Sequence, residues 1–338
     1  MTDTQTLDTA AVAAWLHETL GIPGPVTAEK FAGGQSNPTF LLRHEGGTMV
    51  LRRKPPGVLL KSAHAVDREF RVQKALQDTD VPVARMLALC EDDGVIGSAF
   101  YVMEHVTGRN FDSPTLPELD RDDRRPVFDE MARVLAAIHE VDIEAVGLAD
   151  YGPDGNYFRR QTDRWTKQYE ASATEEIAEM DALGRWLDEN MVADDGQRRL
   201  VHGDYRLDNM LFALDEARCV AVLDWELSTI GHPYADLASV LMQWQLPTTN
   251  RGLAGVDRAA EGLISDADFV ASYCARRGIA PIDNLGFYLA FCFYRMAGIL
   301  QGVKKRALDG NASNPERAMQ MGAFVPVLAE AGLKAARG

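Results

Sequence analysis

The sequence predicts an α+β fold in two lobes. Residues 1–106 form a small N-terminal lobe of five antiparallel strands and one main helix, and residues 107–338 a larger, mostly helical C-terminal lobe. Three observations predict it. Short strand-like patterns cluster before Thr107-Gly108, long helical patterns dominate after it, and a single β-like insertion from Leu200 to Leu227 interrupts the helices. A chain of 338 residues is long for one small core and short for three.

The elements follow in order. Val12, Trp15, Leu16 and Leu20 repeat at helical spacing behind Thr9, the expected cap, and Gly21, Pro23 and Gly24 end that helix. From Val26 to Lys54 the pattern becomes an antiparallel meander: a first strand, the turn-rich Gly33-Gly-Gln-Ser-Asn37, then Thr39–Arg43, Gly46-Gly47 and Thr48–Arg52. Pro55-Pro56-Gly57 breaks the sheet, and Ala65–Leu76 places Val66, Phe70, Ala75 and Leu76 on one broad helical face. Val83–Cys90 and Ala99–Glu104 complete the five strands, the last as a continuous apolar run suited to burial. Beyond Gly108, helices are expected over 124–141, 163–176, 181–191, 236–245, 266–277, 284–305 and 315–335.

Composition bounds the function. The net charge of -15 argues against nucleic-acid or anionic-membrane partners, which need clustered Lys and Arg, and by itself says no more than solubility. Cys90, Cys219, Cys274 and Cys292 form no C-x-x-C pair, so a zinc ribbon, redox motif or disulfide framework is not expected. The first twenty residues lack the basic and apolar regions of a signal peptide, and no apolar run approaches the roughly 20 residues that span a bilayer. A cytoplasmic location is expected; no oligomeric state is implied.

The chemistry concentrates in the insertion, Leu200-Val-His-Gly-Asp-Tyr-Arg-Leu-Asp-Asn-Met-Leu-Phe212, followed by Cys219-Val-Ala-Val-Leu-Asp-Trp-Glu226. Phosphoryl transfer to a hydroxyl needs a carboxylate at the attacking oxygen and oxygen ligands that hold Mg²⁺ against nucleotide phosphates. Asp204 suits the first role, Asn209 and Asp224 the second. Met210–Phe212 and Val220–Leu223 are expected to pair as short strands and bring Asp224 to the side of Asn209. A His-x-Asp-x-x-x-x-Asn match alone arises by chance in about 1–2% of chains this long. The apolar run ending in Asp224 and the strand-rich lobe upstream make coincidence a poor account; as plain turn caps, Asp204 and Asn209 would not explain them.

His202-Gly-Asp-Tyr-Arg-Leu-Asp-Asn209 and Asp224-Trp-Glu226 resemble the catalytic loop and metal-binding motif of the aminoglycoside phosphotransferase family, over nearly the whole chain. The resemblance implies a protein-kinase-like bilobal fold, ATP and Mg²⁺ as cofactors, and a small-molecule hydroxyl acceptor. Arg52 then falls where such kinases place a phosphate-contacting lysine, with Glu69 as its partner and Arg53 and Lys54 as alternatives. Arginine retains the charge and a bidentate fork for phosphate; a solvated strand end is the plainer reading of this basic run. Gly33, Gly34 and Ser36 sit where a phosphate-covering loop belongs, although they do not make a full G-x-G-x-x-G and suit a hairpin turn equally. Met103, Glu104 and Val106 occupy the adenine-binding hinge, or simply a buried strand running into a linker. His202 and Asp236 are assigned to structural support of the catalytic loop, Asp236 also being an ordinary helix N-terminal acid; Asp208 is unassigned. Tyr157, Trp165, Tyr169, Tyr288 and Tyr294, with Arg295, fall on helices that surround the acceptor in this fold, and most are read as core.

Leu51-Arg-Arg-Lys-Pro-Pro-Gly57 and Ser62-Ala-His-Ala-Val-Asp-Arg-Glu-Phe-Arg-Val-Gln73 are similar to the subgroup that includes kinase-like domains fused to acyl-CoA dehydrogenases. This similarity implies a hydroxyacyl-CoA or hydroxy acid acceptor. Two other readings use the same residues: an aminoglycoside O-phosphotransferase, which needs an acidic acceptor pocket, and a nucleotide-binding pseudokinase or interaction module, for which Arg52 and the irregular glycine loop leave room.

Overall fold

The computed structural model describes residues 7–31, 37–55, 65–312 and 314–337. Along the chain run α1 (Thr9–Leu20), β1 (Thr27–Lys30), β2 (Thr39–His44), β3 (Gly47–Arg53), α2 (Val66–Leu76), β4 (Met86–Cys90), β5 (Phe100–Glu104) and α3 (Arg121–Glu140). There follow α4 (Tyr157–Ser172), α5 (Ala178–Glu189), β6 (Arg199–Val201), β7 (Met210–Phe212), β8 (Cys219–Val222) and β9 (Thr229–Gly231). The last elements are α6 (Tyr234–Trp244), α7 (Asp266–Arg277), α8 (Leu285–Leu308), α9 (Pro315–Gly322) and α10 (Val325–Ala335). No helix among the described residues is long and apolar enough to cross a membrane.

The chain divides into two compact units. One comprises Met1–Asp112, Val141–Leu148 and Arg206–Ser228; the other Ser113–Glu140, Ala149–Tyr205 and Thr229–Gly338. The sequence reading drew one boundary at 106/107, in chain order. The β7–β8 hairpin instead groups with the large sheet, because its backbone bonds run there: Val222 N–H donates to Pro82 O at 2.8 Å, and Arg109 and Phe212 exchange two bonds of 2.8 Å.

In the first unit the five-stranded sheet has the order β1-β2-β3-β5-β4, antiparallel throughout. Val12 and Leu16 of α1 pack on one sheet face with Phe40, Leu42, Met49, Leu51, Phe100 and Val102, while Val66 of α2 packs with Ala84, Met86 and Tyr101. The cap of α1 is Asp8 rather than Thr9: its Oδ1 accepts from Ala10 and Ala11 N–H at 3.1 and 2.9 Å, a job for which a carboxylate suits the positive helix end.

The second unit is built on α8, whose Phe287, Ala290, Phe291 and Tyr294 share a core with α4, α5, α6 and α10. Phe158 is its hub, with ring centroids 5.0 to 5.6 Å from Tyr157, His232, Phe287, Tyr288 and Phe291. Tyr157, Trp165, Tyr169, Tyr288 and Tyr294 are all buried. Two expectations are corrected here. The helix expected over 163–176 runs from Tyr157 to Ser172, started by Asn156, whose Oδ1 accepts from Arg159 N–H at 3.0 Å. The single helix expected over 315–335 is two, α9 and α10, because Pro326 has no N–H to donate and its ring clashes with the carbonyl four residues back, at Gly322, where α9 stops.

Candidate active site

Arg52 is positioned by strand pairing. It lies opposite Thr39 on β2 and Tyr101 on β5, so the three side chains share one face of the sheet. Its Nε stands 2.8 Å from Glu69 Oε2 of α2, and its Nη2 2.9 Å from Asp224 Oδ1 and 3.7 Å from Glu226 Oε2. Arg53 instead lies over the Phe40 ring at 5.6 Å, and Lys54 faces Asp67 at 3.7 Å. Glu69 is buried and accepts from Asn37 Nδ2 at 2.6 Å and the Tyr101 hydroxyl at 3.1 Å. Burial alone would weaken the charge of Arg52, but Glu69, with Tyr101, Asp224 and Glu226, raises its pKa above the ordinary value. Burial pushes Glu69 upward against the pull of Arg52.

Asn209 and Asp224 bracket the β7–β8 ladder, in which Met210 pairs with Val222, and Leu223 N–H donates to Asn209 O at 2.8 Å. Asn110 Nδ2 straps this turn through Asp208 O at 2.8 Å and Met210 O at 3.0 Å. Asp224 has φ 64° and ψ 61°, a left-handed conformation costing about 1–2 kcal/mol in a residue with a Cβ. It is retained because the turn behind it is locked, with Trp225 Nε1 donating to Val222 O at 2.9 Å and Ser228 Oγ to Trp225 O at 2.6 Å. Asn209 and Asp224 offer oxygen donors only. An amide carbonyl and a carboxylate suit Mg²⁺, a hard cation that takes one or two protein ligands and leaves its other positions to phosphates and water. Among the described residues no three His, Cys, Asp or Glu side chains group as a metal cage.

The second unit fixes residues 202–205. Asp236, buried near the start of α6, accepts from His202 N–H at 2.6 Å and Gly203 N–H at 2.9 Å. Gly203 has φ 84°, a conformation that favours glycine. Its carbonyl accepts from Arg295 Nη2 at 3.2 Å. Asp204 N–H donates to His202 Nδ1 at 3.3 Å, and the Tyr205 hydroxyl donates to Met131 O at 2.8 Å. Behind Asp236 a buried chain continues: Oδ2 is 3.4 Å from His139 Nε2, His139 Nδ1 is 2.7 Å from the Tyr273 hydroxyl, and that hydroxyl accepts from Arg277 Nη1 at 2.8 Å. Burial would raise the Asp236 carboxyl, but His139 and the Gly203 N–H hold it below the ordinary carboxylate value; burial lowers His139.

Of the residues picked out by sequence, Arg52, Glu69 and Asp224 meet directly, Asn209 joins the Asp224 turn through Leu223, and His202, Asp204 and Asp236 form one hydrogen-bonded loop. Met103 lies within β5, Glu104 ends it with its N–H given to Arg85 O at 2.9 Å, and Val106 follows in irregular chain. Gly33, Gly34 and Ser36 lie outside the described residues. Asp208 forms an ion pair with Arg206 at 2.8 Å. Missed by sequence reasoning were Asn37 and Tyr101 around Glu69, Asn110, and the His139–Tyr273–Arg277 chain. Tyr101 lay in a run already read as a buried strand, but its register opposite Arg52 is set by strand pairing far along the chain.

A family model described as "Phosphotransferase enzyme family" matches residues 27–273. Mouse acyl-CoA dehydrogenase family member 10 is 44% identical over 310 residues, covering 91% of this chain and 29% of that protein. Human acyl-CoA dehydrogenase family member 11 is 42% identical over 337 residues, covering 97% and 43%. The chain thus spans less than half the length of these relatives. The solved structure of a candidate aminoglycoside phosphotransferase from Ralstonia eutropha matches with a TM-score of 0.90 at 47% identity, over 98% of this chain and 99% of that one. A thermostable mutant of aminoglycoside phosphotransferase APH(4)-Ia, in ternary complex with AMP-PNP and hygromycin B, matches with a TM-score of 0.61 at 18% identity over 97% and 99%, a likeness of fold. The α+β architecture is the protein-kinase-like fold that the sequence motifs implied.

Proposed function

The chain belongs to the phosphotransferase enzyme family, and we propose that it is an ATP-dependent small-molecule kinase whose acceptor is a hydroxyl of a hydroxyacyl-CoA or hydroxy acid. The observation that carries this reading is the largely buried guanidinium of Arg52 held between Glu69 and Asp224, which sets a cation suited to phosphate beside a candidate metal ligand. The acceptor class is supported by the identity to the two acyl-CoA dehydrogenase family members, of which the chain matches only a part.

In this reading Asp204 orients the acceptor hydroxyl and takes its proton as the oxygen attacks, held by a loop whose backbone is already bound. Arg52 contacts the α- and β-phosphates, and the main chain from Glu104 to Val106 binds adenine, with Met103 lining that pocket. Gly33, Gly34 and Ser36 cover the phosphates. Asn209 and Asp224 hold Mg²⁺, which when bound neutralises charge on the phosphate oxygens. Rate enhancement then comes chiefly from positioning and preorganised charge.

The test is ADP release from purified protein with ATP and Mg²⁺ against hydroxyacyl-CoA esters, hydroxy acids, neutral alcohols and aminoglycosides. Turnover is expected with the first two classes. Asp204→Asn is expected to lower kcat about 10²- to 10⁴-fold while ATP affinity by calorimetry stays within a factor of three. Wild-type turnover by that variant, or ATP binding without ADP release for every acceptor, would overturn the assignment.

A further inference from the structure

The charge around Arg295 says more about the acceptor. The chain carries a net charge of -15, yet Arg295, Arg164 and Arg160 of the second unit form no ion pair with a carboxylate among the described residues. Arg295, half-buried on α8, donates from Nη2 to Gly203 O, beside Asp204. Its guanidinium lies 5.9 Å from the Trp165 ring centroid, and that of Arg164 lies 5.5 Å from the same ring. The Arg160 guanidinium donates to the backbone carbonyls of Pro153 and Gly155.

A half-buried cation that reaches the catalytic loop without a direct ion pair has donors left to bind a further oxygen. The ring beneath it leaves the same mark. Trp165 Nε1 and Thr162 Oγ1, one turn apart on α4, are buried without hydrogen-bond partners, an arrangement that stability alone does not favour. Arg295 can donate from a planar fork while stacked on an aromatic face, which matches a carboxylate or carbonyl oxygen and repels an ammonium group.

We infer that Arg295, over the Trp165 ring together with Arg164, is the anchor for an anionic or carbonyl-oxygen group of the acceptor, set beside the hydroxyl that Asp204 engages. The inference rests on the proposed kinase reading and makes it more specific: polycationic acceptors are excluded by charge, and the bound oxygen belongs to a free carboxylate or to a thioester carbonyl.

The experiment compares wild type, Arg295→Ala and Arg295→Lys, each checked for an unchanged melting temperature. The acceptors are a 4-hydroxy acid, its CoA thioester, and a matched diol without a carbonyl. For whichever oxygen-bearing acceptor is used, Arg295→Ala is expected to raise KM about 10- to 100-fold with the KM for ATP unchanged, and Arg295→Lys to recover part of that loss. The acid and thioester arms identify the source of the oxygen. Independently of turnover, the accepted compound alone should quench tryptophan fluorescence, and Trp165→Phe should remove that quench. A uniform fall in kcat for all three acceptors with KM unchanged would show that Arg295 serves only the Gly203 carbonyl, overturning the inference while sparing the kinase reading. An equal rise in KM for the diol in Arg295→Ala would also overturn it, because the diol has no carboxylate or carbonyl oxygen for Arg295 to bind. Absence of ADP release for every acceptor, with the quench intact, would instead defeat the kinase reading and leave the anchor standing.

Discussion

Arg52 meets Asp224 across 172 residues of sequence, with one cation facing three carboxylates, whereas Asp236 holds the 202–205 loop through two backbone N–H groups and an imidazole. The side chain of Asp224 is 36% exposed; that of Asp236 is 2% exposed. A phosphate or a cation arriving at the first cluster can take over one of its ion-pair partners. Nothing from solution competes for Asp236. In the proposed kinase reading, one unit would therefore offer groups that exchange partners with ligands, and the other a backbone fixed before any ligand arrives, as preorganised catalysis requires.

The sharpest way to break this contrast is Asp236→Ala. It strands two buried N–H groups and the His139 imidazole together, and a loss of about 3–5 kcal/mol is expected from urea unfolding. A loss below about 1 kcal/mol would mean the loop is held elsewhere. Next comes Arg52, where the fork rather than the charge alone spans Glu69 and Asp224. Arg52→Lys is expected to weaken ATP binding about 3- to 10-fold and Arg52→Ala about 10- to 100-fold by calorimetry. Wild-type affinity in Arg52→Ala would remove phosphate exchange from the comparison.

Acid should act on the fixed unit first. Burial depresses His139 below its ordinary 6.5, so the unfolded chain binds a proton there that the folded chain refuses. Its stabilising contribution is complete above about pH 6.5 and is lost as pH falls toward the folded pKa. The depressed Asp236 adds a loss in the same direction only below its ordinary 3.8. The melting temperature is therefore expected to drop between pH 7.5 and pH 5.5, with a flatter profile in His139→Gln; an identical profile in that variant would count against His139 as the source. Smallest of all is Thr39→Val, which removes a 3.4 Å contact to Arg52 Nη1 and a 3.1 Å hydrogen bond to Asn37 O and should change stability by no more than about 1.5 kcal/mol.

What could be read from the sequence was whatever local pattern encodes. The strand pattern of Thr48–Arg52 marked β3, the family resemblance put Arg52 at the phosphate-contacting position, and the apolar runs flanking Asn209 and Asp224 foretold the β7–β8 pairing. Pro326 also carried a readable signal, but the alanine and leucine periodicity on both sides of it gave the impression of one helix. His139 ends an amphipathic helix like many others, and its partner lies 97 residues further on, so nothing nearby announces it. The left-handed Asp224 was similarly hidden, because that conformation is imposed by the locked turn behind it and not by the residue's own preference.

The return of Arg206–Ser228 to the sheet-bearing unit has a consequence for biosynthesis. A ribosome releases the chain in order, and domains ordinarily condense as their last residue emerges. Here the first 112 residues supply the sheet, but the hairpin that packs with it arrives only after about another hundred have been made. Glu69 and Arg52 can find each other early, whereas Asp224 joins them late. A recombinant fragment cut after residue 112 would retain the early pair without the hairpin, and so would not be a faithful miniature of the sheet-bearing unit.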